Sequence, residues 1–302
     1  MKPVVSVVIA TFNRREKLKR ALESVFNQTL KDIEIIVVDN ASVDGTEDFV
    51  KSIQDQRICY VKHDTNKGGP AARNTGIKKA KADLIALLDD DDEWFPAKLT
   101  KQVEKLNENP SHTGLIYAGA EIYNEVQQKM MQIYRPQFRG KVYQRLLLGT
   151  ILSSVTSVLV RARCFEQVGG FDEKLSSCQD WDMWLRIAQY FEFDYVDETL
   201  VRINMHGEQI STDYTKLIPG RTRMVEKHAE EFKKYPDIYL IHLKRVGKLH
   251  FINGTWKQGF LWFEKAIKLR PIEFIKILGW CLFELPYIKY FSPSKQFKKF
   301  KN

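Results

Sequence analysis

The sequence predicts an α/β fold: a mostly parallel open sheet flanked by helices, followed by a helical C-terminal extension. Three observations carry this. Apolar runs of strand length recur through the first hundred residues. Stretches with helical spacing of apolar residues separate them. Polar clusters close each run.

Val4 to Ala10 is a nearly continuous apolar run, which suits a strand covered on both faces. Arg14 to Asn27 places Leu18, Ala21, Leu22 and Val25 at i, i+3, i+4 and i+7, the spacing of a helix with one buried side. Ile33 to Val38 is the second strand, and Thr46 to Ile53 a short helix turning Phe49, Val50 and Ile53 inward. Ile58 to Val61 is the third strand. Pro70 opens a helix that runs to Ala80. Leu84 to Leu88 is the fourth strand, and Pro96 to Leu106 a further helix. This alternation implies right-handed crossovers and a parallel sheet. The middle is mixed. Leu115 to Ile122 and Ser154 to Val160 are expected as strands, and Tyr143 to Leu148, Arg163 to Val168 and Trp181 to Tyr190 as helices. Beyond Thr212 only helices are expected. The domain reading is 1–212 for the sheet domain, with halves of about 1–110 and 111–212, and 213–302 for the helical region.

Composition narrows the function. With 44% apolar and 12% aromatic residues in 302, the chain can bury a core, which excludes a disordered segment. The net charge of +9 is uneven: from Asp213 onward 19 basic residues face 8 acidic ones, a local +11, whereas the rest is slightly negative. A uniformly basic nucleic-acid binder is therefore disfavoured. The four cysteines form no C-x-x-C pair, so zinc and redox motifs are absent and reduced thiols are expected. The start lacks the features of a signal peptide, and no run reaches the length of a spanning helix. A cytoplasmic location is expected.

In an open parallel sheet, ligands bind beyond the carboxyl ends of the strands. Here the strands end in Thr11-Phe12-Asn13-Arg14, in Asp39-Asn40-Ala41-Ser42, in the stretch from His63 to Gly69, and in Asp89-Asp90-Asp91-Asp92. Four adjacent carboxylates repel, and protonation or a bound cation relieves them. Their hard oxygens suit Mg2+ or Mn2+, which complete their shells with substrate phosphates. Asp39 can accept from a base N–H or a ribose hydroxyl, and Arg14 and Arg73 can meet phosphate or base oxygens. Neither a P-loop nor a G-x-G-x-x-G turn is present. This chemistry favours a nucleoside diphosphate carrying a transferable group.

The segments Val7–Arg14, Ile36–Thr46, Asn66–Gly76 and Leu88–Pro96 together resemble glycosyltransferase family 2. The likeness continues through Val168–Glu173, Asp180–Arg186 and Arg202–Ser211, and so spans about the first 210 residues. It implies a GT-A fold, inversion at the anomeric carbon, a nucleotide-sugar donor (a UDP-sugar by default) and a divalent metal. It implies Asp91 and Asp89 as metal ligands, with Asp90 nearer the ribose and Thr11, Asn13, Arg14, Asp39 and Arg73 about the nucleotide. Asp180 is the implied base. Asp182 competes, but two helix residues point about 200° apart, and Asp182 can pair with Arg186 on a helix surface. Gln179 stands where the family usually has Glu. Gly170, Gln179 and Trp181 fall on the acceptor side, although the helical spacing of Trp181 and Trp184 also suits core packing. His206 lies in the family's closing loop, where a histidine can reach metal or diphosphate; a surface histidine is the alternative. The acceptor is expected to be a glycan or a lipid-linked sugar, in surface-polysaccharide synthesis. Lysines beyond Lys289, following apolar residues from Phe274, could seat the C-terminal region on an anionic membrane face, or form an ordinary amphipathic end. A nucleotidyltransferase, a non-catalytic nucleotide-sugar-binding module and an acidic-loop scaffold without ligand are the competing classes.

Overall fold

The structure, a computed structural model, describes residues 2–108, 112–206 and 213–285. The first four strands are those the apolar runs predict: β1 (Val5–Thr11), β2 (Ile33–Asp39), β3 (Ile58–Lys62) and β4 (Leu84–Asp89). They lie parallel in the order β3-β2-β1-β4. Helices α1 (Arg15–Phe26), α2 (Thr46–Ser52), α3 (Gly69–Lys79) and α4 (Lys98–Glu108) connect or follow them. Close packing of α3 on β1 depends on Gly76, where an added Cβ would sit 2.2 Å from Val8 Cγ1.

The sheet continues past β4 in mixed sense. The remaining strands are β5 (Glu93–Trp94), β6 (Thr113–Asn124), β7 (Lys129–Tyr134), β8 (Val158–Arg161) and β9 (Glu192–Met205). β8 runs antiparallel to both β4 and β6, and β9 parallel to β6. Four elements depart from the sequence reading. The expected strand from Ser154 begins as a 3-10 turn over Val155–Ser157. β5, β7 and β9 were not expected at all. One sheet therefore runs through both expected halves of the first domain. Helices α5 (Tyr143–Leu148), α6 (Ala162–Val168) and α7 (Gln179–Ile187) complete this part.

The chain divides into two compact units, Met1–Glu173 with Gln179–Gly207, and Lys174–Cys178 with Glu208–Asn302. The second contains helices α8 (Tyr214–Lys227), α9 (Ala229–Lys233), α10 (Pro236–Ile252), α11 (Trp256–Leu269) and α12 (Glu273–Gly279), then a π-helical turn over Trp280–Glu284. Its core joins α10 to α11 through Phe251 and Phe263, whose rings stack at 5.1 Å. Among the described residues no helix is long and apolar enough to cross a membrane. The lysines from Lys289 onward lie outside the described residues.

One buried charge stands out in the first unit. Lys98 is fully buried, with Nζ 3.3 Å from the Val158 carbonyl and 3.9 Å above the Trp94 ring. Burial holds its ammonium well below the ordinary lysine range. The unfolded chain therefore binds the extra proton more readily, and stability rises with pH across the interval up to the unfolded value of about 10.4. Lys98→Met, similar in volume, is expected to raise the melting temperature at pH 7 by a few degrees, corresponding to about 1 kcal/mol. The gap from wild type should narrow as the pH approaches about 10. Thermal melts at several pH values check this; a lower melting temperature for the variant at pH 7 would show that the Trp94 face more than offsets the desolvation.

Candidate active site

Strand register brings the polar clusters together. Thr11 pairs with Asp39 across β1 and β2, and Ala10 with Asp89 across β1 and β4, so the three strands end side by side. The loops beyond them are stitched by side chains. The Asn13 amide donates to Ser42 Oγ at 2.8 Å, and Asn13 Oδ1 accepts from the Val43 amide at 2.8 Å. Asn13 adopts φ +51°, a left-handed conformation that asparagine tolerates better than most residues.

Asp39 is fully buried. Its Oδ1 accepts from the Ser42 amide at 2.7 Å, and its Oδ2 from the Tyr60 hydroxyl at 2.6 Å. Burial and this carboxylate push the Tyr60 phenol well above its ordinary range, so it stays a donor. The third cluster is held by His63, whose Nδ1 lies 2.9 Å from Asn40 Oδ1 and whose Nε2 lies 2.9 Å from Thr75 Oγ1.

The aspartate quartet separates into four environments. Asp89 Oδ1 accepts from Arg73 Nη2 at 2.6 Å. Asp90 accepts from Thr11 Oγ1 at 2.7 Å and from Arg14 Nη1 at 3.0 Å, and burial pushes its carboxyl up to about 6. Asp91 Oδ2 meets Arg14 Nη1 at 2.9 Å and His206 Nε2 at 2.7 Å. Asp92 is turned inward: Oδ2 accepts from Thr156 Oγ1 at 2.7 Å and Oδ1 from the Asn204 amide at 3.1 Å. Burial, with Asp89 and Asp91 nearby, holds the Asp92 carboxyl well above the ordinary carboxylate range.

Within the chain the two arginines already have partners. Arg14 and Arg73, read as partners of phosphate or base, lie on the aspartates themselves. Two guanidiniums and two hydroxyls already meet much of the quartet's charge within the chain. A dication is thus one further partner for these carboxylates. The donor set does fit such an ion. Oxygens of Asp89, Asp91 and Asp92 lie within 4.8 Å of one another, and hard oxygens with one adjacent imidazole suit Mn2+ or Mg2+. Asp89 and Asp91 are the accessible members, since both Asp92 oxygens accept hydrogen bonds inside the fold.

Asp180 sits in the first turn of α7, half-buried, with Oδ1 accepting from the Trp181 amide at 2.8 Å. Burial raises its carboxyl, against that amide and the Arg73 charge. Arg73 links α7 to the quartet: besides Asp89, it donates to Gln179 Oε1 at 3.3 Å, and its guanidinium lies 5.7 Å from the Phe171 ring centroid. Glycine is required at 170, where an added Cβ would sit 2.4 Å from Asn74 Oδ1. That same oxygen accepts from the Phe171 amide at 2.7 Å and ties this turn to α3.

Two neighbours of Asp180 are placed differently from the expectation. Asp182 does pair with Arg186, at 2.9 Å, but it is fully buried rather than on a helix surface. Arg186 also donates to the carbonyls of Val168 at 2.7 Å and Gly170 at 2.9 Å, so the pair clamps α7 to the end of α6. Trp181, expected toward the acceptor, is buried, and its indole N–H donates to the Leu146 carbonyl at 2.6 Å. Its bulk and its single donor are both used in packing. Trp184 is core as well, edge-on to Phe171 at 6.2 Å.

Sequence reasoning missed Thr156, Tyr60 and Asn204. Asn204 Nδ2 donates to the Asp91 carbonyl at 2.9 Å and to Glu93 Oε1 at 3.0 Å, fastening the end of β9 to the quartet. Asn204 lies in β9, a strand the sequence did not suggest, and His206 directly follows that strand's end.

Known proteins resemble this chain in sequence and in fold. Residues 6–168 match the model of glycosyl transferase family 2. An uncharacterized glycosyltransferase of Methanocaldococcus jannaschii is 32% identical over 286 residues, covering 92% of this chain and 93% of the relative. A glycosyl transferase of Escherichia coli, WcaA, whose name assigns it to colanic acid biosynthesis, is 31% identical over 81% of this chain and 90% of its own. The chain belongs to glycosyl transferase family 2 and is a glycosyltransferase. Its fold is that of GT-A enzymes: S. aureus TarS residues 1–349, crystallised with UDP-GlcNAc, superposes with a TM-score of 0.61 at 18% identity, over 83% of this chain and 73% of that one.

Proposed function

We propose that this enzyme transfers a hexosyl or N-acetylhexosaminyl group from a UDP-sugar to a hydroxyl of a glycan or lipid-linked acceptor. Transfer inverts the anomeric centre and serves surface-polysaccharide synthesis on the cytoplasmic side, at the inner face of the membrane. The observation that carries the reading is the shared edge: Asp39 ends β2, Asp89 ends β4 with Asp90 and Asp91 directly after it, β1 lies between the two strands, and Arg73 joins Asp89 to the helix bearing Asp180. The UDP-GlcNAc bound by TarS supports the donor class, and the WcaA name supports the setting.

Thr11, Asn13 and Asp39 hold the nucleoside, with Asp90 toward the ribose. Arg14 and Arg73 are positioned to exchange a carboxylate partner for diphosphate oxygens. Asp89 and Asp91, with His206 beside Asp91, hold Mn2+ or Mg2+. When bound, this ion acts as a Lewis acid toward the diphosphate. Asp180 accepts the acceptor's hydroxyl proton as its oxygen bonds to the anomeric carbon. The bond from that carbon to the β-phosphate oxygen breaks in the same step, and the nucleoside diphosphate leaves with the electron pair. Gly170 and Gln179 border the acceptor.

A panel of UDP-, GDP- and dTDP-sugars, each with and without Mn2+ or Mg2+, tests this through release of the nucleoside diphosphate. UDP release is expected from one donor, rising with metal and with an acceptor glycan. Release from every donor class alike, unaffected by metal, would overturn the donor and metal assignments.

A further inference from the structure

The second unit carries a helix that is apolar on both sides. Along α12 and the π-helical turn, Glu273, Ile277 and Trp280 face inward and are buried. Trp280 is anchored edge-on to Phe251 at 6.3 Å and to Phe263 at 6.1 Å. Offset by one to three positions from these, Phe274, Ile275, Leu278, Leu282 and Phe283 form an outward stripe, with Ile275 66% and Phe283 77% exposed. A soluble surface helix normally turns charge outward, and an apolar face of this length marks a docking surface. Of the two acids on this segment, Glu273 is buried and neutralised by Lys244 at 2.7 Å and Lys276 at 2.8 Å, and Glu284 is exposed at its far end.

Charge selects the occupant. From Asp213 onward the chain carries +11, and residues 286–302 contain five lysines, five aromatics and no acid. A second copy of this chain would bring the same positive charge to the contact and repel it. An anionic bilayer complements it: apolar side chains enter the acyl boundary while lysines meet phosphate headgroups. We propose that the outward stripe of α12 and its π-helical turn docks on an anionic phospholipid surface. This deepens the reading of a lipid-linked acceptor, but it does not depend on turnover.

The test is co-sedimentation of the full chain with vesicles of phosphatidylcholine alone, or of phosphatidylcholine with phosphatidylglycerol. Selective binding to the second is expected, weakened by high salt. Ile275→Glu combined with Phe283→Glu should lower the affinity at least about tenfold, since burying each side chain is worth more than 1.4 kcal/mol. Both positions are exposed, and melting curves should confirm an intact fold. A second variant, Lys295→Glu with Lys298→Glu and Lys299→Glu, leaves the described structure untouched and should also weaken binding. Equal sedimentation of the variants and wild type would overturn the proposal, as would indifference to phosphatidylglycerol. So would a wild-type dimer by light scattering that the Ile275→Glu, Phe283→Glu variant turns monomeric, because the stripe would then serve a second copy. Because binding is read without turnover, its failure is distinct from failure of the sugar-transfer reading.

Discussion

Asp180→Asn is expected to abolish sugar transfer while donor binding survives. The substitution keeps the shape of the side chain, and an amide oxygen can still accept from the Trp181 N–H that the carboxylate holds at 2.8 Å. The first turn of α7 should therefore stay in place. What is lost is the capacity to take a proton. General-base removal costs about 10²–10⁴-fold in kcat, so turnover should fall by about that factor while calorimetric affinity for UDP with Mn2+ stays near wild type. Burial raises the Asp180 carboxyl, which sets the sign of the pH dependence. A base must be ionised to act, so kcat/KM falls as the pH drops through that raised value, and the acid limb should lie above the ordinary aspartate range. Asp182→Asn is the contrast. It removes the buried partner of Arg186, so its main expected effect is a lower melting temperature. Normal turnover by Asp180→Asn would refute the base assignment.

The first half of the fold was readable because β1, β2 and β4 are covered on both faces and so appear as apolar runs, with the shorter, half-buried β3 at the sheet's edge. Val5 to Thr11 and Ile33 to Asp39 are buried almost throughout. β7 gave no such signal, since Lys129 to Ile133 are exposed and their composition follows solvent rather than core. β9 alternates poorly because bulges near Gly119 shift its pairing with β6. The site showed the same division. Asp39 and the quartet stood out because their residue types fall at strand ends, whereas Asp180 was implied by the family resemblance. The partners of those residues could not. That Arg14 and Arg73 lie on aspartates, that Asp92 faces Thr156 and that Trp181 is consumed in packing all depend on contacts between elements far apart in the chain. Local pattern carries no information about such contacts. His206 shows the limit clearly: the motif left it between ligand and surface residue, and the end of β9 brings its Nε2 to Asp91.

Asp91→Ala should erase the metal dependence of donor binding, and the sign of the change without metal makes the result diagnostic. In the wild type, Asp91 lies with Arg14 and His206 at one accessible corner of the quartet. With Mn2+ present, loss of this carboxylate removes a principal ligand, and affinity for UDP should fall at least about tenfold, or 1.4 kcal/mol. Without metal, the same carboxylate repels an incoming diphosphate. Two unit charges about 4 Å apart at a protein surface interact by up to about 4 kcal/mol. Its removal also leaves Arg14 with one carboxylate partner, Asp90, in place of two. Metal-free affinity should therefore hold or improve, and the two titrations should converge. A variant merely damaged in folding would instead lose affinity under both conditions. Asp92→Ala is expected to behave in that second way, because both its oxygens brace Thr156 and β9 within the fold. If Asp91→Ala kept the full gain from Mn2+ while Asp92→Ala lost only that gain and melted normally, the ligand pair would be Asp89 and Asp92, and the inward carboxylate would have to turn out from Thr156 whenever donor binds.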